Sequence, residues 1–195
     1  PNLHSDRETG LASASLTDTV RLLQTGQNTQ ASVSGPMAEV VQHSLQYFTT
    51  EDLQAMAMYL QTNALATTAN TSASPKAAGA SVAERGRKVY ERHCATCHGE
   101  RGEGAPGIYP PLSGNRAVLL GDPTNLVQTV LFGGYGPATQ GHPRPFGMPP
   151  FVLELEDRDI AAVLTHLRMA LQPEGRKAGE VTPLQVNRIR AENDR

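Results

Sequence analysis

Apolar residues recur along this chain at helical spacing in five places, and no stretch shows the strict alternation of a half-buried strand. In "LTDTVRLLQTG", Leu16, Val20, Leu22 and Leu23 share one side, Thr17 or Asp18 can cap the start, and Gly26 stops the helix. "TTEDLQAMAMYLQT" offers Thr49 and Asp52 as a cap pair, with Leu53, Met56, Ala57 and Leu60 on one stripe. "SVAERGRKVYERHC" sets Ser81 and Glu84 at capping-box spacing, with Val82, Val89 and Tyr90 inside. "PTNLVQTVLFGG" predicts a helix ended by glycines, and "EDRDIAAVLTHLRMAL" aligns Ile160, Val163, Leu164 and Leu167. Gly/Pro loops fill 99–116 and 133–151. The expected class is all-α, short helices joined by long loops.

The same pattern divides the chain. Residues 1–62 make a first unit, and 63–80, rich in Ala, Thr and Ser, read as an exposed linker. Residues 81–172 make a second, complete unit, and 173–195 a polar tail with at most one short helix. The two units share landmarks in order: "PNL" with "PPL", Gly26 with Gly133, Met37 with Met148, and Asp52 with Asp159. Their offsets all lie between 107 and 111 residues. The first unit therefore reads as a partial copy of the second.

Composition narrows the possibilities. Of 195 residues, 38% are hydrophobic and 5% aromatic, with no tryptophan, so the core is thin and calls for a staple. A net charge of −2 without a basic run argues against nucleic acid. No apolar run approaches the ~20 residues that span a bilayer. The start at Pro1, without methionine or a signal-like segment, reads as a processed or truncated end.

Both cysteines stand in "ERHCATCHGERGEG". Cys94-Ala-Thr-Cys97-His98 has the spacing of covalent haem attachment: two thiols on one turn each add to a vinyl group, and the next residue lies beneath the ring, where an imidazole binds iron. Structural zinc would draw its ligands from two separated pairs, and a thioredoxin-like motif would follow a strand, so both fit less well. Gly99, Gly102, Gly104 and Gly107 are expected to let backbone pass a flat cofactor where a Cβ would collide.

Among five methionines, Met56, Met58 and Met169 fall on predicted helices. Met148, in "RPFGMPPF", sits where Gly147, Pro149 and Pro150 forbid regular structure, and a thioether braced by prolines suits the sixth position on iron. His142 is the alternative ligand. With His98 and Met148 on opposite faces, iron has no open position, which favours electron transfer over bond-making chemistry. A haem peroxidase-like enzyme with a labile sixth ligand is the competing reading. His4, His43 and His166 read as surface or helix-face residues.

"ERGRKVYERHCATCHGERGEG", the Pro-x-Leu of "YPPLSGN", "GMPPF" and "DRDIAAVLTHLR" resemble a class I c-type cytochrome domain across 81–171. The resemblance implies a cytochrome c fold around one covalent haem c. It implies that Gly86 and Tyr90 meet Val163 to Leu167 where the first and last helices cross. It also implies that the Pro110 carbonyl orients His98. The stretches "GGYGPATQGHPRPFGMPPF" and "GPMAEVVQHSLQYFTTEDLQAMAMYL" further resemble the multi-haem cytochrome subunit of bacterial membrane-associated dehydrogenases acting on alcohols, gluconate or sugars. That likeness implies a non-catalytic subunit relaying electrons from a dehydrogenase subunit to quinone or another acceptor, in the periplasm, at or near the outer face of the cytoplasmic membrane. Met37 is a candidate ligand of a second haem, although no C-x-x-C-H precedes it. Subtracting 109 from 98 puts the matching histidine before Pro1, so the attaching half is either cut away or lost.

Overall fold

The computed structural model describes residues 14–62, 78–173 and 178–193. Of the expected linker only 78–80 fall among these, and "PNL" and His4 lie outside them. In chain order the described helices are α1 (Leu16–Thr25), α2 (Pro36–His43), α3 (Thr50–Thr62), α4 (Ala80–His93), α5 (Ala95–His98), α6 (Arg116–Leu119), α7 (Thr124–Phe132), α8 (Asp157–Met169) and α9 (Pro183–Asn193). A 3₁₀ turn at Leu45–Tyr47 follows α2. The all-α class holds. Its one departure among the described residues is an antiparallel pair of two-residue strands, β1 (Gly134–Tyr135) and β2 (Gly147–Met148).

Helix starts differ from expectation where two caps compete. Ser15, not Thr17 or Asp18, caps α1: its Oγ accepts the Asp18 N–H at 3.0 Å and donates to Asp18 Oδ2 at 2.8 Å. Thr49 Oγ1 accepts the Asp52 N–H at 3.2 Å, as the spacing predicts. The Ser81–Glu84 box does not form. The helix begins one residue before Ser81, behind Gly79, and Glu84 turns outward to Arg87 at 2.8 Å and Lys88 at 3.3 Å.

Helices α4 and α8 cross at Gly86. A Cβ there would lie 2.2 Å from the Ala162 carbonyl oxygen and 2.9 Å from His166 Cβ, so only glycine permits the approach. The crossing thus falls on Ala162 and His166, and His166 is a half-buried partner of the Tyr90 ring at 5.7 Å. Ile160, Val163, Leu164 and Leu167 are buried as expected. Ala161, Ala162, Thr165 and Arg168 on the other faces of α8 are buried too, because α4, α7 and α9 all pack around it. Buried Arg168 is satisfied by three carbonyls, those of Gly179 (2.9 Å), Val118 (3.1 Å) and Leu120 (2.8 Å).

The C-terminal stretch is more than a polar tail. Val181, Val186 and Ile189 enter the same core as Tyr90, Leu131 and Leu164. Arg190 holds α9 down through Asp157 at 2.8 Å and the Leu155 carbonyl at 3.0 Å. The first unit keeps a separate, smaller core of Val20, Val41, Leu45, Leu53 and Ala57, with Leu16, Leu23, Val33 and Met56 against it.

Candidate haem-attachment site

Helix α4 delivers the cysteines. It stops at Cys94, whose φ of −120° breaks the helical run while its N–H still bonds the Tyr90 carbonyl at 2.9 Å. The chain then winds one further turn, α5, in which the Cys94 carbonyl accepts from Cys97 N–H at 3.2 Å and His98 N–H at 2.9 Å. Cys94, Cys97 and His98 therefore project from a single turn. Both thiols are free, and burial, then the neighbouring Cys97, pushes the Cys94 thiol up to about 11. Among the described residues no cluster of three or more His, Cys, Asp or Glu side chains is arranged to hold a metal ion, so nothing here supports the zinc reading.

His98 Nδ1 lies 3.0 Å from the Pro110 carbonyl oxygen. A carbonyl only accepts, so Nδ1 carries the proton and Nε2 presents its lone pair. Burial holds the imidazole below its ordinary range, more than the Pro110 bond raises it, which keeps it in the neutral, metal-binding form.

The loop that brings Pro110 back is built on glycine. Gly99, Gly102, Gly104 and Gly107 all take positive φ, between 68° and 80°. A Cβ on Gly104 would meet the Tyr109 carbonyl oxygen at 2.5 Å and Pro110 C at 2.8 Å. A Cβ on Gly102 would press on Ser113 N at 3.1 Å, and one on Gly99 would meet the Glu103 carboxylate at 2.3 Å. Left-handed backbone and the loop's approach to itself demand glycine here, and that approach sets the Pro110 carbonyl on His98. Tyr90 Oη ties the loop to α4 by donating to the Gly99 carbonyl at 2.6 Å.

Met148 does not lie in irregular backbone as expected: Gly147 and Met148 form β2, because the prolines begin only after it. Met148 is half-buried there, directly opposite Gly134, bordering the same core as Cys94, Ala95 and Leu112. Behind it, Phe151 N–H bonds the Val130 carbonyl at 3.1 Å and Val152 N–H the Leu131 carbonyl at 3.0 Å, fixing the prolines against α7. His142 sits farther out, at the hairpin tip, where it bridges Thr139. Met37, the second residue of α2, is 37% exposed, and Val40, Tyr47 and Phe48 nearby in the chain are exposed as well.

Three contributors escaped the pattern reading. Tyr109 lies 6.4 Å from the His98 ring and 5.6 Å from Phe146, linking the histidine side to the methionine loop. Its only sequence signal is its place before Pro110. Gln172 donates to the Leu112 carbonyl at 3.0 Å and accepts the Gly114 N–H at 2.8 Å, pinning the Pro-x-Leu loop to the end of α8. Asn115 braces the same loop through the Pro111 carbonyl at 2.9 Å. Nothing periodic marks either residue.

The family model for Cytochrome c matches residues 83–170. This segment is a cytochrome c domain. Over 176 residues the chain is 36% identical to the cytochrome c subunit of a quinone alcohol dehydrogenase from Gluconobacter oxydans (strain 621H), covering 86% of this chain and 36% of that one. It is 30% identical over 214 residues to the fructose dehydrogenase cytochrome subunit of Gluconobacter japonicus, covering 98% and 43%. It is 31% identical over 174 residues to the gluconate 2-dehydrogenase cytochrome c subunit of Pantoea cypripedii, covering 86% and 40%. The chain thus spans less than half the length of these relatives. Domains of this family transfer electrons through a covalently bound haem c. The cytochrome domain's residues fit that group: two free thiols on one turn, an adjacent neutral imidazole with its Nε2 lone pair unspent, and a thioether on the border of the same core.

Proposed function

We propose that the chain relays electrons through one haem c bonded to Cys94 and Cys97 and ligated by His98 and Met148. The haem, when bound, supplies a one-electron ferrous–ferric couple, and the redox chemistry is its own. The protein's part is placement. Cys94 and Cys97 tether, the Pro110 carbonyl holds His98 in one tautomer, and the Met148 loop closes the remaining position against small oxidants. The observation that carries this reading is the His98–Pro110 hydrogen bond at 3.0 Å, which orients a ligand histidine beside the two thiols.

The electron donor is the catalytic subunit of a dehydrogenase and the acceptor is quinone or another carrier, in the bacterial periplasm. The names of the relatives and the c-type attachment chemistry support that assignment. Among the described residues no helix is long and apolar enough to cross a membrane. Met37 as ligand of a second haem is an addition to this reading. It is supported by the matched landmarks and by the equal 13-residue lengths of α3 and α8.

The purified protein is expected to keep its haem through acid–acetone extraction and to be low-spin in both oxidation states. The ferric form should show a methionine–iron charge-transfer band that Met148→Ala abolishes. Extractable haem overturns the attachment. A high-spin ferric form with ready peroxide turnover overturns the closed site and favours a peroxidase.

A further inference from the structure

The first unit takes hold of the hairpin that ends in Met148. Beyond β1 and β2 the two arms close in a turn where Thr139 pairs with His142. At this tip Gln42 Oε1 accepts the Ala138 N–H at 3.1 Å and Gln46 Oε1 accepts the Gln140 N–H at 3.1 Å. Gln46 Nε2 donates to the Ala138 carbonyl at 3.4 Å and to the Gln42 carbonyl, which fixes the direction of its amide. Gly26 presses on buried Pro137 so closely that a Cβ would lie 2.2 Å from Pro137 Cγ. Residues more than 90 positions away thus stand in for the strand partner that the tip lacks.

The hairpin needs that help. A ladder of two residues per strand has little stability of its own. On its far side Met148 is anchored through Phe151 and Val152 to α7, so only the tip side depends on the clamp.

We propose that Gln42 and Gln46 are positioning residues for Met148: the first unit, through two glutamine amides, keeps the thioether seated on the side of the haem opposite His98. This rests on the reading of Met148 as the sixth ligand. Releasing the clamp lets the tip hydrate and the methionine give way to an external ligand, without touching the haem's tether.

The test is imidazole binding to the ferric holoprotein, followed through the methionine–iron charge-transfer band well below the melting temperature. Relative to wild type, the Gln42→Ala/Gln46→Ala double variant is expected to bind imidazole about tenfold more tightly, the equivalent of the three lost hydrogen bonds to 138–140 at the low end of their net worth. Gln42→Glu keeps an acceptor for the Ala138 N–H and is expected to behave as wild type. Should the double variant not fold, Gln42→Ala alone carries the test, with a rise of roughly threefold. Unchanged imidazole affinity in the alanine variants, with the band present in wild type, overturns the clamp, and a lowered melting temperature alone does not rescue it. A wild-type protein without the band overturns the ligand reading instead.

Discussion

His98 and His166 are both half-buried imidazoles held below their ordinary range, each chiefly by burial. A base whose folded value is depressed stabilises the fold fully above its unfolded value, about 6.5 for histidine, and loses that contribution as pH falls toward the folded value, because unfolding then takes up a proton. Iron at Nε2 would remove His98 from this balance. In the holoprotein His166, against Tyr90 and Gly86, remains. The depressed carboxylates Glu84, Glu103 and Asp122 act only at lower pH, around and below their own unfolded values near 4. Melting temperature is therefore expected to fall between pH 7 and pH 5, and His166→Gln to flatten that slope. An unchanged slope in thermal melts of the variant would count against the assignment. Single positions also correct the residue reading: Ser15 wins the α1 cap because it precedes the helix in extended backbone, whereas Thr17 lies inside it.

At the scale of elements, the helical stripes were legible in the chain and the packing of α9 was not. Ile160, Val163, Leu164 and Leu167 read as one face of α8, and all four are buried. Helix α9 carries only Val186 and Ile189 as buried apolar anchors amid polar neighbours, so its pattern resembles a solvated segment. Its burial follows from α7 and α8, which leave a groove those two side chains fill. Ile189→Ala is expected to cost about 2–5 kcal/mol, the range for emptying a buried isoleucine. Urea denaturation of the holoprotein measures it, and a loss under about 0.5 kcal/mol, as at a surface position, would return the segment to the status of a tail.

The molecule as a whole has two cores of unequal size. Among the described residues, five buried hydrophobic side chains form the first and fifteen the second. A small core gives less protection against local opening. Amides of α1–α3 are expected to exchange with deuterium well before those of α4, α7 and α8, as hydrogen-exchange mass spectrometry of the holoprotein would read. Equal protection in both units would mean that they unfold as one. The glutamine contacts at 138–140 bind the units yet add little apolar area, so they hold position more than they add stability.

What the amino-acid order determined alone was whatever acts over a few residues. Cys94, Cys97 and His98 share a turn, their spacing is itself the attachment chemistry, and the family followed from it and its flanks. Gly147, Pro149 and Pro150 likewise set Met148 apart from the helical methionines without any tertiary knowledge, although the pairing of Gly147 and Met148 with Gly134 and Tyr135 was not legible there. The tertiary structure alone decided what spans long separations. It brought Gln42 and Gln46 to the 138–140 backbone, closed Gly104 on Pro110 so that a carbonyl reaches His98, and set Gln172 on the Pro-x-Leu loop. Such contacts are single hydrogen bonds and close backbone approaches. They recur at no period, and a glutamine that binds another loop's amide is indistinguishable in sequence from one that faces water.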